Sequence, residues 1–348
     1  MVYLDNAAST CPKFYASTYA HYWANPNSPH KGGLEANRAL NEAKARIKES
    51  LGVKSGEVLF CRCATEAVEW LCRQFHQYGD NLYTYASPYD HDSVTNNCCD
   101  MENVEECIAW GSLSRNCIYL HQHTNHITGT IFDIESIGKQ VQSTGAFFGS
   151  DITASLGHYS LPDNIDTFCD ALWFSGRKVM CETMGAIWLS DRLFKYLGGN
   201  ASHMITGTPN VPGALALADA VEYAVDNVKA NAKHWELLTY NMLHQLHRQD
   251  IEAKVWNLTE PKTDAINALY LPGINADALV QYLSSKDIYI SPGHSACSGE
   301  SDYRVLEAFG LGKDEASQTV RISFSEDTTE EDIEALVKGI VEFKNLFI

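Results

Sequence analysis

The chain has 348 residues and a net charge of −18, with 45% apolar and 20% charged residues and no lysine- or arginine-rich block, which excludes nucleic acid and anionic membrane as partners. No apolar run approaches the length of a bilayer span, and the N-terminus MVYLDNAAST lacks the basic and apolar regions of a signal peptide. Eleven scattered cysteines, an odd number, suit reduced thiols rather than a disulfide framework, so a cytoplasmic protein is expected.

The length exceeds one simple core and predicts two domains. Over 34–50, LEANRALNEAKARIKES reads as an amphipathic helix that stops before Gly52. EVLFC (57–61) reads as a buried strand, followed by a helix through TEAVEWLCRQFHQYG. NCIYLHQHT and GAFFGSD are strand-like, with ESIGKQVQST helical between them, and DALWFS (170–175) and GAIWLS (185–190) are two further strands. Strands alternating with helices imply an α/β layer with a mostly parallel sheet. After Pro209 and Pro212, Leu217, Val221, Ala224, Val228, Trp235, Leu238 and Met242 recur at helical spacing. The remainder, with strands near AINALYLP and TVRISFS and helices near ADALVQYLSS and EEDIEALVKGIVEFKNLF, reads as a smaller α+β domain. The boundaries expected are 14–228 for the large domain and 229–348, with 1–13, for the small one.

Chemistry-bearing residues fall at the ends of these strands. Lys178 follows the apolar strand DALWFS, at the carboxyl edge where open α/β sheets bind ligands. A lysine there is a nucleophile toward a carbonyl cofactor, and a surface lysine is the plain alternative. Asp151 ends the strand GAFFGSD one crossover earlier. Pyridoxal phosphate (PLP) needs such a pair, a lysine for its aldehyde and a carboxylate for its ring nitrogen. An ordinary capping aspartate is the alternative for Asp151. A phosphate fits the helix start in LFCRCATEAVEW, where Ala64 and Thr65 follow Arg62, although Thr65 as an N-cap explains that stretch equally well. Thr208 in ITGTPNVPG offers a second phosphate contact, His91 in SPYDHDSV a ring to stack and move protons, and Arg321 in TVRISFS a guanidinium for a carboxylate or for an acidic neighbour. Cys297 lies in ISPGHSACSGES, a run of small and turn-forming residues that suits an exposed loop thiol. HQHTNH carries His121, His123 and His126 without the ligand spacing of a zinc motif, and no metal is expected.

In order, these pieces resemble the NifS-like cysteine desulfurases of the class V aminotransferase family, PLP enzymes of fold type I. YLDNAAST, NPNSPHKGG, ATEA, ITGTIFDI, FSGRK, TGTPNVPG, GHSAC and VRISFS carry the likeness collinearly over nearly the whole chain. The resemblance implies a large domain with a mixed, mostly parallel seven-stranded sheet and a smaller α+β domain. It implies that Lys178 holds the cofactor aldehyde, Asp151 the pyridine nitrogen, and His91 the ring face. Ala64, Thr65, Ser175, Arg177 and, across a homodimer, Thr208 would hold phosphate. Arg321, with Asn125 and His126, would hold the substrate. Cys297 would take sulfur from L-cysteine as a persulfide and pass it to an acceptor protein.

The chain also departs from the family's pattern. Ala154 stands where a glutamine is usual, Gly149 and Arg177 where histidines are usual, Ile205 where an arginine is usual, and Asn125, His126 and Ile127 replace an Asn-Asn-Glu triplet. These departures leave two alternatives beside the desulfurase: another class V reaction on a sulfur or selenium amino acid or a transamination, and a non-catalytic binding protein with the same fold.

Overall fold

A computed structural model describes residues 1–77, 83–199, 207–256, 261–294 and 302–347. The chain forms two compact units, one of Cys11–His123 with Asp133–Val228, the other of Met1–Thr10, Thr124–Phe132 and Lys229–Ile348. The sequence reading leaves residues 124–132 in the larger domain. The chain folds them into the smaller unit, because their backbone bonds go there: Ile131 N–H donates to Pro261 O at 2.7 Å and Gly129 O accepts from Thr263 at 2.9 Å.

The smaller unit opens with β1 (Val2–Tyr3). The larger unit carries β2 (Glu57–Cys61), β3 (Tyr83–Ala86), β4 (Asp100–Met101), β5 (Cys117–Gln122), β6 (Phe147–Asp151), β7 (Ala171–Ser175) and β8 (Gly185–Leu189). Among the described residues these make one seven-stranded sheet in the order β2-β8-β7-β6-β5-β3-β4. Strands β4, β3, β5, β6 and β7 pair in parallel, and β8 runs antiparallel to both β7 and β2. The mixed, mostly parallel α/β sheet expected of fold type I is thus present. Every residue of β5, β6, β7 and β8 is buried, as near-continuous apolar runs such as ALWFS require when both sheet faces are covered.

Helices α1 (Lys31–Leu51), α2 (Ala64–Gln77), α3 (Asp92–Thr95), α4 (Val104–Ala109), α5 (Ile134–Ser143) and α6 (Asp191–Tyr196) belong to this unit, and α7 (Val211–Arg248) begins in it. Helix α2 buries Ala67, Val68, Leu71, Cys72 and Phe75 at helical spacing, each 1% exposed or less. Phe75 meets Phe147 of β6 edge-on with ring centroids 5.8 Å apart. Helix α1 ends where sequence reading stops it, at Gly52, whose φ of 70° turns the chain out of the helix. Helix α7 starts earlier than its apolar periodicity suggests. Pro212 is its second residue, a first-turn position where no N–H is needed.

The smaller unit adds β9 (Lys254–Val255), β10 (Ile266–Tyr270), β11 (Ile288–Tyr289), β12 (Ser291–Pro292) and β13 (Thr319–Ser323). An antiparallel sheet runs β12-β13-β10-β9, while β1 pairs with β11 in parallel. Helices α8 (Ala276–Ser284), α9 (Arg304–Ala308), α10 (Lys313–Ala316) and α11 (Glu330–Phe347) complete it. The N-terminal strip is locked in: Leu4 is fully buried, its carbonyl accepts from Ser323 N–H at 2.8 Å, and Ala7 N–H donates to Ser323 Oγ at 2.8 Å.

Gly138 tests how closely α5 seats on its sheet. A Cβ there would lie 2.5 Å from Phe168 O and 2.8 Å from Phe148 Cδ1. In an exposed helix interior Gly→Ala stabilises by up to about 1 kcal/mol. Here the sign should reverse, with Gly138→Ala losing about 1–3 kcal/mol in urea unfolding. A stabilised variant would show that α5 has room to move outward.

Candidate active site

The chemistry-bearing residues of the larger unit gather at the carboxyl ends of its parallel strands, the edge at which such sheets bind ligands. Asp151 ends β6 in register with Gln122 of β5 and Trp173 of β7. Its Oδ1 accepts from Thr153 N–H at 2.8 Å. Burial pushes the carboxyl above its usual range, while bonds from Thr153 and the charge of His91 pull it down. Ser175 ends β7, and the tight turn Gly176–Lys178 follows. Gly176 has no room for a side chain there: a Cβ would lie 2.7 Å from Leu217 Cδ1 and 3.0 Å from Met184 O. Lys178 is half-buried at the end of this turn, and Met180 beyond it takes a left-handed φ of 60°.

Across the sheet, Ser175, Gly185 and Cys61 lie side by side on β7, β8 and β2. Helix α2 starts just after Cys61, and its first helical bond runs from Ala67 N–H to Cys63 O. The N–H groups of Ala64, Thr65 and Glu66 precede that bond, the part of a helix that favours an anion. Gly185 lets the turn approach, since a Cβ would lie 2.9 Å from the Cys63 backbone. The charge expected of Arg62 goes elsewhere. Its side chain is 81% exposed and pairs with Glu66 at 3.3 Å. Thr65, Arg177 and Thr208 are exposed, Ala64 is half-buried and Ser175 is buried.

His91 precedes α3 and caps it, its Nδ1 accepting from Ser93 N–H at 3.0 Å. Asp90, fully buried, pins this loop: Oδ1 accepts from Gln122 N–H at 2.7 Å and Oδ2 from Ser87 N–H at 3.1 Å. Asp90 is a positioning residue that sequence reading missed, although its place beside His91 was the available signal.

Two departures from the family's pattern have a steric or polar counterpart. A Cβ at Gly149 would lie 2.9 Å from Leu120 Cδ2 and 3.0 Å from Trp173 Cζ3, so the side chains of β5 and β7 fill the space a histidine would need. At Ala154 the carbonyl pairs with His158 Nδ1 at 3.3 Å, and His158 feels the charge of Lys178. His121 and His123 are also buried, and His123 N–H donates to Asp151 O at 2.9 Å. Among the described residues His123 Nδ1 has no hydrogen-bond partner, and no group of three or more His, Cys, Asp or Glu is placed to hold a metal ion.

In the smaller unit Arg321 sits on β13, between β12 and β10, rather than on an edge strand. It is 9% exposed. Its Nη2 donates to Asp5 Oδ1 at 2.8 Å and Ser291 Oγ at 3.2 Å, and its Nη1 to His126 O at 3.1 Å. Asn125 is fully buried, with Oδ1 accepting from Ile127 N–H at 3.0 Å and Thr128 N–H at 2.9 Å. That oxygen shapes its own turn, a use the sequence reading assigned instead to substrate. Cys297 and Ile205 lie outside the described residues. The ten described cysteines are free thiols, and burial is the main cause raising the pKa of Cys61, Cys107, Cys169 and Cys181.

A buried carboxylate, a half-buried lysine on the turn after β7, and the start of helix α2 are groups that would suit the ring nitrogen, aldehyde and phosphate of PLP. Fold and site together define a PLP-dependent enzyme scaffold. The aminotransferase class-V profile matches residues 2–106 and 95–336, and the chain belongs to that family of PLP-dependent enzymes. It is 26% identical to a cysteine desulfurase of Trichormus azollae, over 98% of this chain and 92% of the relative. It is also 26% identical to the cysteine desulfurase IscS of Rickettsia akari, over 97% and 90%. Among solved structures, a NifS-like protein superposes with a TM-score of 0.84 at 23% identity, over 99% of this chain and all of that one. A NifS-like protein from Rickettsia africae superposes at 0.85 and 22%, with the same coverage. No described helix is long and apolar enough to cross a membrane.

The buried histidines predict an acid-labile larger unit. Burial lowers His121, His123 and His158 to about 4 each. The unfolded chain then binds more protons between the ordinary histidine value near 6.5 and about 4, so stability is present above that window and falls with pH inside it. The slope contributed is up to about 1.4 kcal/mol per pH unit per histidine. His121→Gln should flatten the fall of urea stability from pH 6.5 to 4.5, and an unchanged slope would place the acid sensitivity elsewhere.

Proposed function

We propose that the chain is a cysteine desulfurase, converting L-cysteine to L-alanine with a persulfide formed on Cys297. The observation that carries this reading is the full-length likeness to cysteine desulfurases, with Lys178, Asp151 and His91 brought by separate strands to one sheet edge.

Bound PLP supplies an electron sink conjugated to the substrate α-carbon. The buried Asp151 carboxylate would hold the protonated ring nitrogen, and that pairing would relieve the burial cost of both charges. Lys178 would hold the cofactor aldehyde and would serve as the base that moves the substrate α-proton. His91, whose Nδ1 caps α3, would stack on the cofactor ring and move protons. The helix start at Ala64 and Thr65, with Ser175, would hold phosphate. Arg321 takes the substrate carboxylate. The Cys297 thiolate attacks the substrate sulfur, so an S–S bond forms as the C–S bond breaks, and a proton completes alanine at the carbon left behind. The persulfide then goes to an acceptor protein. The working form is a homodimer in which Thr208 serves the other subunit's phosphate, and the setting is the cytoplasm.

A different class V reaction is the second reading, because Ala154 offers the cofactor no side-chain donor. A reaction without sulfur transfer needs no thiol at position 297. Wild type should release alanine and, with reductant, sulfide from L-cysteine. Cys297→Ser should stay yellow yet lose at least about a hundredfold in turnover, and Lys178→Ala should lose turnover by at least as much. Full activity in Cys297→Ser would sink the persulfide and favour the second reading. Asp151→Asn should weaken PLP retention on dialysis at neutral pH, and unchanged retention would remove Asp151 from the cofactor.

A further inference from the structure

Arg321 is not an open cation waiting for an anion, because its guanidinium is already engaged by a carboxylate of its own unit. Nη2 donates to Asp5 Oδ1 at 2.8 Å and to Ser291 Oγ at 3.2 Å. Ser291 Oγ in turn donates to Asp5 Oδ1 at 2.8 Å, which closes a three-residue ring of bonds. Nη1 donates to His126 O at 3.1 Å. The Nε–H is buried and has no partner among the described residues.

A guanidinium grips a carboxylate with two parallel N–H groups along one edge. It has two such edges, Nε with Nη2 and Nη1 with Nη2, and both include Nη2. Asp5 and Ser291 hold that shared nitrogen. Both Nη2 hydrogens are thereby taken, and a second carboxylate gains a two-pronged grip only by loosening the Asp5–Ser291 pair. The unsatisfied Nε–H shows one edge left half-used, which a buried donor tolerates only at a cost.

Resting on the assignment of Arg321 to the substrate carboxylate, we propose that Asp5 determines carboxylate affinity and selectivity in this chain as an internal competitor for Arg321. Asp5 balances the buried guanidinium when no substrate is bound. It also lowers the net attraction that the site offers a second anion. A substrate carrying one carboxylate replaces Asp5 on Nη2. A second acidic group on the substrate would meet the displaced Asp5 carboxylate and be repelled. Asp5 thus sets a threshold that Arg321 alone would not set, and Ser291 holds Asp5 in its competing position.

The test uses full-length protein loaded with PLP. Binding of propionate and of L-alanine is read from ligand-induced shifts in thermal midpoint and, for alanine, from the change in cofactor absorbance. Asp5→Asn should bind both about tenfold more tightly than wild type. Its midpoint should be lower without ligand and should recover when propionate is added, since the added carboxylate pairs the guanidinium that Asp5 left. Ser291→Ala should move affinity in the same direction by a smaller factor, and it stands in if Asp5→Asn fails to fold. Weaker or unchanged propionate binding in these variants would overturn the competitor role and leave Asp5 as a residue that only orients Arg321. Arg321→Ala is the control for the underlying assignment. If it binds propionate as wild type does, Arg321 is not the carboxylate site, whatever Asp5 does.

Discussion

A carboxylate buried at the end of a parallel strand is the constraint on which the larger unit turns. Asp151 is 8% exposed, and burial works against its ionised form. A protein holds such a group where something else supplies the opposing charge or takes the proton. The surrounding architecture is arranged to that end. Parallel pairing of β5, β6 and β7 brings their carboxyl ends into one row, so the residues after Gln122, Asp151 and Ser175 reach the same edge. Asp90, with no exposed surface of its own, ties the His91 loop to the end of β5. The Gly176–Lys178 turn has no slack, because Leu217 and Met184 close on the space where a side chain at 176 would sit. Under the proposed function a protonated PLP ring would supply the opposing charge, and that pairing would keep the ring an electron sink.

One departure from the family's pattern is matched by packing inside the sheet. Trp173 and Leu120 occupy the volume above Gly149, so the small residue and the large neighbours go together. His158 ties its Nδ1 to the carbonyl of Ala154 and lies within electrostatic reach of Lys178. Three buried imidazoles, those of His121, His123 and His158, lie in this unit. Their burial couples the unit to acid, because each imidazole resists protonation only while it stays buried.

The smaller unit follows the same rule with the opposite charge. Arg321 is buried on a central strand, and a buried guanidinium needs anions and carbonyls around it. Asp5, Ser291 and His126 supply them from three distant stretches of chain. The N-terminal strip is held beside β13 by bonds from Ser323, which is why a residue so close to the start of the chain faces one so close to the end.

Local pattern alone determined the elements whose physics is local. The apolar run EVLFC is a strand over the residues read from sequence, the helix after Leu34 stops at Gly52, and alternating strands and helices announce an α/β sheet. Ordered motifs led to the expectation that Lys178, Asp151 and His91 serve one chemistry. Only the tertiary structure decided what depends on contacts distant in sequence. It set β8 antiparallel between β2 and β7, moved residues 124–132 into the smaller unit, turned Arg62 to solvent, and spent the Asn125 carbonyl on its own loop. It also placed Asp5 on Arg321, a pairing that no spacing rule encodes, because burial and charge balance act in space rather than along the chain.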